Sequence, residues 1–382
     1  MSGIQSSTRL AAAKARRIVV KVGSSIITRE GKLQSRVFGD ISRQVSELFD
    51  AGREVAIVSS GAIAIGALDL GWNDSCRSIP EKQAAAAIGQ IGLIEQYRRR
   101  FARRGRRVAQ VLVTRSGLTD RERFINARHT LLELLRIGVV PIINENDTVA
   151  TEEIRFGDND NLSATVANLI GADMLIILTD VDGLYQRPPA EGSEPKIFDV
   201  IERVTPEIER AAGGSTSAFG RGGMTTKLEA ARAASRCGTT TVICNGRKRD
   251  VLLKIAAGEP IGTIFMTGNR LASRKHWLAF TTRTHGELVL DDGAVRAITH
   301  GGKSLLPAGI VEVRGKFRVG DPVSCVDSSG QSVARGLTAY ASDAVERIAR
   351  RPTREIAQML GYSNGDEVIH RDDLVVLEDS SE

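Results

Sequence analysis

The sequence is poor in the residues that usually carry metal or acid–base chemistry. Its four cysteines, Cys76, Cys237, Cys244 and Cys325, form no Cys-x-x-Cys pair, and its five histidines form no His-x-x-x-His. Structural zinc and a disulfide framework are therefore excluded as organising features. There is no apolar segment of signal-peptide type near the start and no apolar run of membrane-spanning length, so a soluble, cytoplasmic protein with no membrane partner is expected. The nucleotide fingerprints are missing too. The glycine-rich stretch Ala211–Lys227 matches neither Gly-x-x-x-x-Gly-Lys-Ser/Thr nor Gly-x-Gly-x-x-Gly, so it is neither a P-loop nor a dinucleotide-binding turn.

What is present points to two domains, because 382 residues exceed the roughly 250–300 that one core usually serves. The apolar content of 42% and the 38 glycines suit a globular α/β chain, and many of those glycines directly follow apolar runs. The formal charge of +6 is partly local, in the arginine run Tyr97–Arg107. That run reads as the solvated C-terminal end of a helix, where cations complement the dipole, in preference to a nucleic-acid patch.

Short apolar runs alternate with helical spacing through the first two thirds of the chain. Strands are expected at Arg17–Lys21, Glu54–Val58, Val108–Val113, Gly138–Ile143, Ala172–Leu178 and Thr239–Cys244, the last closing the sheet. Helices are expected at Gln34–Ala51, from Glu81 towards the arginine run, and at Arg121–Ile137, Leu162–Ile170, Leu228–Arg236 and Asp250–Ala257. This is an α/β class with a doubly wound, mostly parallel sheet. A hinge is expected over Gly262–Lys275. Beyond it, the short strands Glu287–Leu290, Gly309–Val313, Pro322–Val326 and Ser332–Arg335 suggest a small β-barrel.

Three loops follow a strand or open a helix with glycine, hydroxyl residues or lysine: Lys21–Ser25, Ser59–Ile63 and Ala211–Lys227. Freed backbone N–H groups and a lysine at a helix start form an anion-binding end. Thr179-Asp180 at the end of another strand suits contacts to a nucleotide or its metal, and equally an Asx turn. Between a strand and a helix lies Asn144–Ala164, dense in Asn, Asp and Glu, placed where open α/β sheets bind ligands.

In combination these motifs resemble the bacterial glutamate 5-kinase family, an amino acid kinase domain followed by a PUA domain. The matching residues are Val20–Ser24, Val58–Ile63, Lys82-Gln83 with Ala87–Gln90, Asn144–Asp147, Phe156–Ala164, Leu178–Asp180 with Gly183–Tyr185, and Gly222–Lys227. In the tail they are Gly302–Gly309, Gly320-Asp321 and Ala334–Leu337. The resemblance implies a kinase domain over 1–268, a PUA domain over 276–352 and an extension over 353–382. It implies ATP-dependent phosphorylation of the γ-carboxylate of L-glutamate with Mg²⁺, the first step towards proline, by a homo-oligomer that proline inhibits. Lys21 and Lys227 would meet the transferring phosphoryl group, with Asp160 orienting both. Ser60, Asp147 and Asn159 would hold glutamate: Asp147 the ammonium, Ser60 and Asn159 donating to the α-carboxylate. ATP would lie against Lys21, Gly23, Ser24, Thr179, Asp180 and the loop Arg221, Gly222, Gly223, Met224, Thr225, Thr226 and Lys227, with Gly23 and Ser24 supplying backbone N–H donors. Arg221 departs from the small residue more usual there, and no metal ligand is assigned.

A carboxylate nucleophile needs no general base, so the dearth of histidine fits this chemistry. The alternatives are a sister kinase acting on N-acetylglutamate, aspartate, carbamate or UMP, and an RNA-binding protein working through the tail. The tail offers Arg314, Lys316, Arg318, Arg335, Arg347, Arg350 and Arg351, but few aromatics for stacking (Phe317, Tyr340).

Overall fold

A computed structural model describes residues 8–10, 12–72, 78–150, 159–187, 196–213, 223–267 and 284–377. They fall into two compact units, residues 1–118 with 127–270, and residues 119–126 with 271–382.

The first unit holds strands β1 (Arg17–Val22), β2 (Glu54–Ser59), β3 (Val108–Val113), β4 (Val140–Glu145), β5 (Met174–Thr179), β6 (Val200–Ile201), β7 (Thr240–Asn245) and β8 (Thr263–Phe265). Its main helices are α1 (Ser35–Asp50), α2 (Ala62–Asp69), α3 (Ile79–Ala102), the part of α4 (Arg121–Arg136) from Ala127 on, α5 (Asn159–Ile170), α6 (Pro206–Gly213), α7 (Met224–Arg236) and α8 (Val251–Ala256). The sheet order is β3-β4-β2-β1-β5-β7-β8-β6, parallel except where β8 runs against β7. Strands β1, β4 and β5 are apolar on both faces, as a sheet covered by helices on each side requires. Helix α1 contributes Phe38, Ile41, Val45 and Leu48 to the core, spaced for one helical face.

Helix α3 is defined at its start by a capping box, in which the Ser78 hydroxyl accepts from the Glu81 amide and the Glu81 carboxylate accepts from the Ser78 amide. It crosses α2 at backbone contact. A Cβ on Gly66 would stand 1.8 Å from the Ala85 carbonyl oxygen, and one on Gly89 1.9 Å from that of Ala62. Only glycine permits that approach, so the crossing fixes where α3 lies over the sheet.

Four local expectations change. The strand expected over Gly138–Ile143 runs two residues later, because Gly138 takes φ +73° and ends the preceding helix. Asn144 and Glu145 are consequently strand residues. Helix α5 begins at Asn159, ahead of Leu162, and α7 at Met224, ahead of Leu228. Thr239–Cys244 does not close the sheet: β8 pairs with β7 on one side and β6 on the other. The start of the expected hinge is thus sheet, and Gly262 is built in tightly, since a Cβ there would meet the Ile243 carbonyl oxygen at 2.3 Å. Residues 268–283 lie outside the described residues.

The second unit contains a five-stranded, mainly antiparallel sheet, β10-β9-β11-β12-β13, made of β9 (Gly286–Leu290), β10 (Ile310–Gly315), β11 (Pro322–Val326), β12 (Ser332–Leu337) and β13 (Leu374–Val376). Only β9 and β11 pair in parallel. Two helices that the sequence reading passed over, α9 (Asp292–Thr299) and α10 (Ser342–Ile348), add Ile298, Val345 and Ile348 to its core. Phe317 and Tyr340 are buried in that core.

Candidate active site

Because β1, β2, β4, β5 and β7 are mutually parallel, their C-terminal ends lie on one edge of the sheet. Val22 is level with Ser59 and Leu178, and Thr179 with Asn245. The order of the chain reverses beside β1, where β2 lies on one flank and β5 on the other. Such switch points open a crevice at the strand ends. The residues after β1, β2, β4 and β5 and the first turns of α5 and α7 meet there.

At the centre stands Asp160, in the first turn of α5 and 1% exposed. Lys21 Nζ lies 2.7 Å from its Oδ1 and Lys227 Nζ 3.3 Å from its Oδ2. The Thr226 hydroxyl, in the first turn of α7, lies 2.7 Å from Oδ2. Burial alone would push the Asp160 carboxyl upward, but the two ammonium groups outweigh it and hold the pKa at about 2. Lys227 is lowered, first by burial and further by Lys21, against the attraction of Asp160 and, more weakly, Asp180. Two buried ammonium groups therefore share one buried carboxylate. Two buried ammonium groups held side by side favour an anionic occupant.

Gly23 contributes space and not a free amide. Its N–H faces the Leu178 carbonyl oxygen at 3.3 Å, where a Cβ would also come within 3.3 Å. The donors that remain in this loop are the amides of Ser24 and Ser25, which open the single helical turn Ser24–Ile27. Across the crevice, the Thr179 hydroxyl is 3.1 Å from Asp180 Oδ1. Asp182 is occupied by Lys248 at 2.8 Å and the Asn245 amide at 3.0 Å. In the glycine loop before α7, Gly223, Met224, Thr225, Thr226 and Lys227 are placed, whereas Arg221 and Gly222 lie outside the described residues.

A second group of polar side chains extends from this centre. The Asn159 amide nitrogen donates to Ser60 Oγ at 2.8 Å and to Asn144 Oδ1 at 3.0 Å. The Asn144 amide nitrogen donates in turn to Gln90 Oε1, on α3, at 2.9 Å. Both Asn159 hydrogens are thus used inside the protein, and among the described residues its buried Oδ1 has no partner. Asn159 is consequently left with an unused acceptor, in contrast to the donor role expected of it, while Ser60 keeps its hydroxyl hydrogen to donate. Asp147 lies in the turn just after β4. Burial raises its carboxyl to about 6, and among the described residues no cation pairs with it. The end of that turn is held by Gln83, whose amide donates to the Ala150 carbonyl at 3.2 Å.

The structure therefore brings together Lys21, Asp160, Thr226 and Lys227 in one contact set, and Ser60 with Asn159 in another. Sequence reasoning assigned no role to Asn144, Gln83 or Gln90. The available signal was the seven-residue spacing of the two glutamines, which puts both on nearly the same face of α3.

A parallel sheet whose C-terminal edge gathers two lysines and a carboxylate at the switch point suits an anionic ligand without a P-loop. Residues 16–245 match the amino acid kinase family and residues 286–360 the PUA domain, and the chain belongs to the amino acid kinase family. Over 367 residues it is 51% identical to the glutamate 5-kinase of Paraburkholderia phymatum and to that of Burkholderia mallei, covering 96% of this chain and 99% of each relative. Among solved structures, a UMP kinase from Bacillus anthracis superposes with a TM-score of 0.47 at 17% identity, over 67% of this chain and 97% of that one.

Proposed function

We propose that this protein transfers the γ-phosphoryl group of ATP to the side-chain carboxylate of L-glutamate. The observation that carries the reading is the buried Lys21–Asp160–Lys227 cluster at the sheet edge, with an Asp147 carboxylate that no cation among the described residues pairs and the unused acceptor of Asn159 at the same edge. The difficulty of the reaction is bringing an anion to a polyanion. The two lysines neutralise charge that builds on the transferring group, and Asp160 holds both ammonium groups in place. The substrate's γ-carboxylate is already the nucleophile, so no side chain has to remove a proton.

Glutamate's α-ammonium is matched by Asp147 and Asn159 Oδ1, and its α-carboxylate by the Ser60 hydroxyl. The nucleotide lies against Ser24, Thr179, Asp180 and the start of α7. Mg²⁺ fits this donor set as an ion carried by the nucleotide. Among the described residues both Asp160 oxygens are engaged and Asp182 is paired, so Asp180 is the carboxylate near the proposed nucleotide site that would hold the ion, with phosphate oxygens and water completing such a shell. The ion would supply further neutralisation of the phosphates.

A homo-oligomer is supported by an exposed apolar stripe on α3, Ala84, Ala87, Ile88 and Ile91, at helical spacing. Proline, which carries the same paired ammonium and carboxylate, is the inhibitor this site would accept. Among the described residues no helix is long and apolar enough to cross a membrane, and a cytoplasmic location accords with the substrates. The RNA-binding alternative has less support, because Phe317 and Tyr340 are buried and Arg314 is paired with Glu312. The test is a hydroxylamine trap of the acyl phosphate with ATP and a panel of glutamate, N-acetylglutamate and aspartate. Product from glutamate alone is expected, and product from either other acid in preference would refute the assignment.

A further inference from the structure

We propose that Gln90 is a positioning residue for glutamate, which sets the order of protons along the chain Gln90–Asn144–Asn159–Ser60 and thereby decides which site atoms donate and which accept. The inference rests on the glutamate reading above and deepens it. Each amide in the chain has one donating and one accepting end, so the sense of the whole series follows from whichever end is fixed. With Gln90 Oε1 accepting, Asn144 must present its oxygen to Asn159, and Asn159 must present its nitrogen to both Asn144 and Ser60. The outcome is an acceptor at Asn159 Oδ1 and a spare hydrogen on Ser60, the complement of an α-ammonium and an α-carboxylate. Reversal at Gln90 would invert every member. Asn159 would then offer N–H groups where an ammonium belongs, and Ser60 would spend its hydrogen on Asn159.

The position of Gln90 is well defined. It follows Gly89 at the backbone contact between α2 and α3, so its Cα cannot drift relative to the sheet. One face of α3 also carries Gln83, which ties down Ala150. Helix α3 thus holds both ends of the segment Asn144–Ala150, on which Asp147 is mounted.

Three substitutions separate proton order from simple bonding. Gln90→Met removes the acceptor at similar length, Gln90→Glu can only accept, and Gln90→Lys can only donate. Steady-state kinetics of the full chain are measured for glutamate and ATP, with a thermal melt of each variant. Loss of one hydrogen bond to a group that orders a charged ligand site should raise the glutamate KM about tenfold in Gln90→Met, with ATP KM and kcat little changed. Gln90→Glu should stay within about threefold of the parent, and Gln90→Lys should be at least as impaired as Gln90→Met. Through-space charge predicts the reverse, since a lysine would attract an anionic substrate and a glutamate repel it. A normal glutamate KM in Gln90→Met or Gln90→Lys, or a Gln90→Glu as impaired as Gln90→Met, overturns the proposal. A parent enzyme that does not phosphorylate glutamate overturns this inference and the underlying reading together.

Discussion

Asp160 and Asp147 stand on the same sheet edge, yet their carboxyl groups are pushed in opposite directions, to about 2 and about 6. Both are desolvated, and the difference is company. Asp160 has two lysines and a threonine hydroxyl in contact, so the protein itself completes its environment. Asp147 has no cation among the described residues, so its environment is complete only when something positive arrives. On the proposed reading, one carboxylate belongs to the preorganised machinery for phosphoryl transfer, and the other carries a charge requirement that the substrate's ammonium meets. On that reading Asp160 governs rate and Asp147 governs recognition.

The strongest way to break that contrast is to remove the lysines. Lys21→Ala and Lys227→Ala should each lower kcat by two to three decades, the roughly 3–4 kcal/mol that one charge-stabilising contact supplies in a closed site. Glutamate KM should move far less, because the proposed function places both lysines at the transferring phosphoryl group and not at the substrate's α-carbon end. Steady-state rates with ATP and glutamate decide it: a variant with near-normal kcat would make that lysine structural only.

On the recognition side, Asp147→Asn should raise glutamate KM by at least an order of magnitude, since breaking a buried charge pair commonly costs ~2–5 kcal/mol. It should also narrow the preference for glutamate over N-acetylglutamate, which lacks the ammonium. An unchanged KM would remove Asp147 from the substrate site. The same requirement appears in the pH profile. Asp147 must be ionised to pair with the ammonium, so kcat/KM for glutamate should fall below about pH 6, approaching roughly tenfold per pH unit for a single essential group. Asp147→Asn should lose that limb, and a parent profile flat from pH 7 to pH 5 would contradict the assignment.

Much of this site was legible because its parts directly follow strands. Lys21, Ser60 and Thr179 mark the ends of apolar runs, and a polar residue there has few places to go except the crevice. Asp160 was legible as part of a resemblance, but its contacts with two lysines far away in sequence come from the sheet order. What could not be read were properties of pairs. The partner of Asn144 is a glutamine 54 positions earlier, on a helix whose placement depends on the Gly66–Gly89 crossing. The donor-or-acceptor sense of Asn159 follows from that link and not from its own identity. Strand β8 is only three residues long, below what alternation can reveal, and it turned the start of the expected hinge into sheet. Gly23 looked like an amide donor because of its composition, but the register of β1 beside β5 assigned that amide to Leu178.

The smallest expected effect is on stability, and it has opposite signs at the two carboxylates. Asp147 has a folded pKa above its unfolded value of 3.8, so folding favours its protonated form. Its contribution is therefore most favourable below about pH 4 and is lost as pH rises through about 6. In the substrate-free protein at pH 8, Asp147→Asn removes a desolvated charge that no cation among the described residues pairs, and should leave Tm unchanged or raise it, a stabilisation of up to on the order of 1–2 kcal/mol after allowance for partial solvation. That advantage should vanish at pH 4. Asp160 has the reverse linkage: its stabilisation is present above 3.8 and is lost as pH falls towards about 2. Asp160→Asn should accordingly lower Tm at pH 8, because two buried ammonium groups would lose their shared counter-ion. Thermal melts of the three proteins without ligand, at pH 8 and pH 4, give the comparison directly. Destabilisation by Asp147→Asn at pH 8, equal to that of Asp160→Asn, would mean that Asp147 is already satisfied inside the protein and does not wait for the substrate.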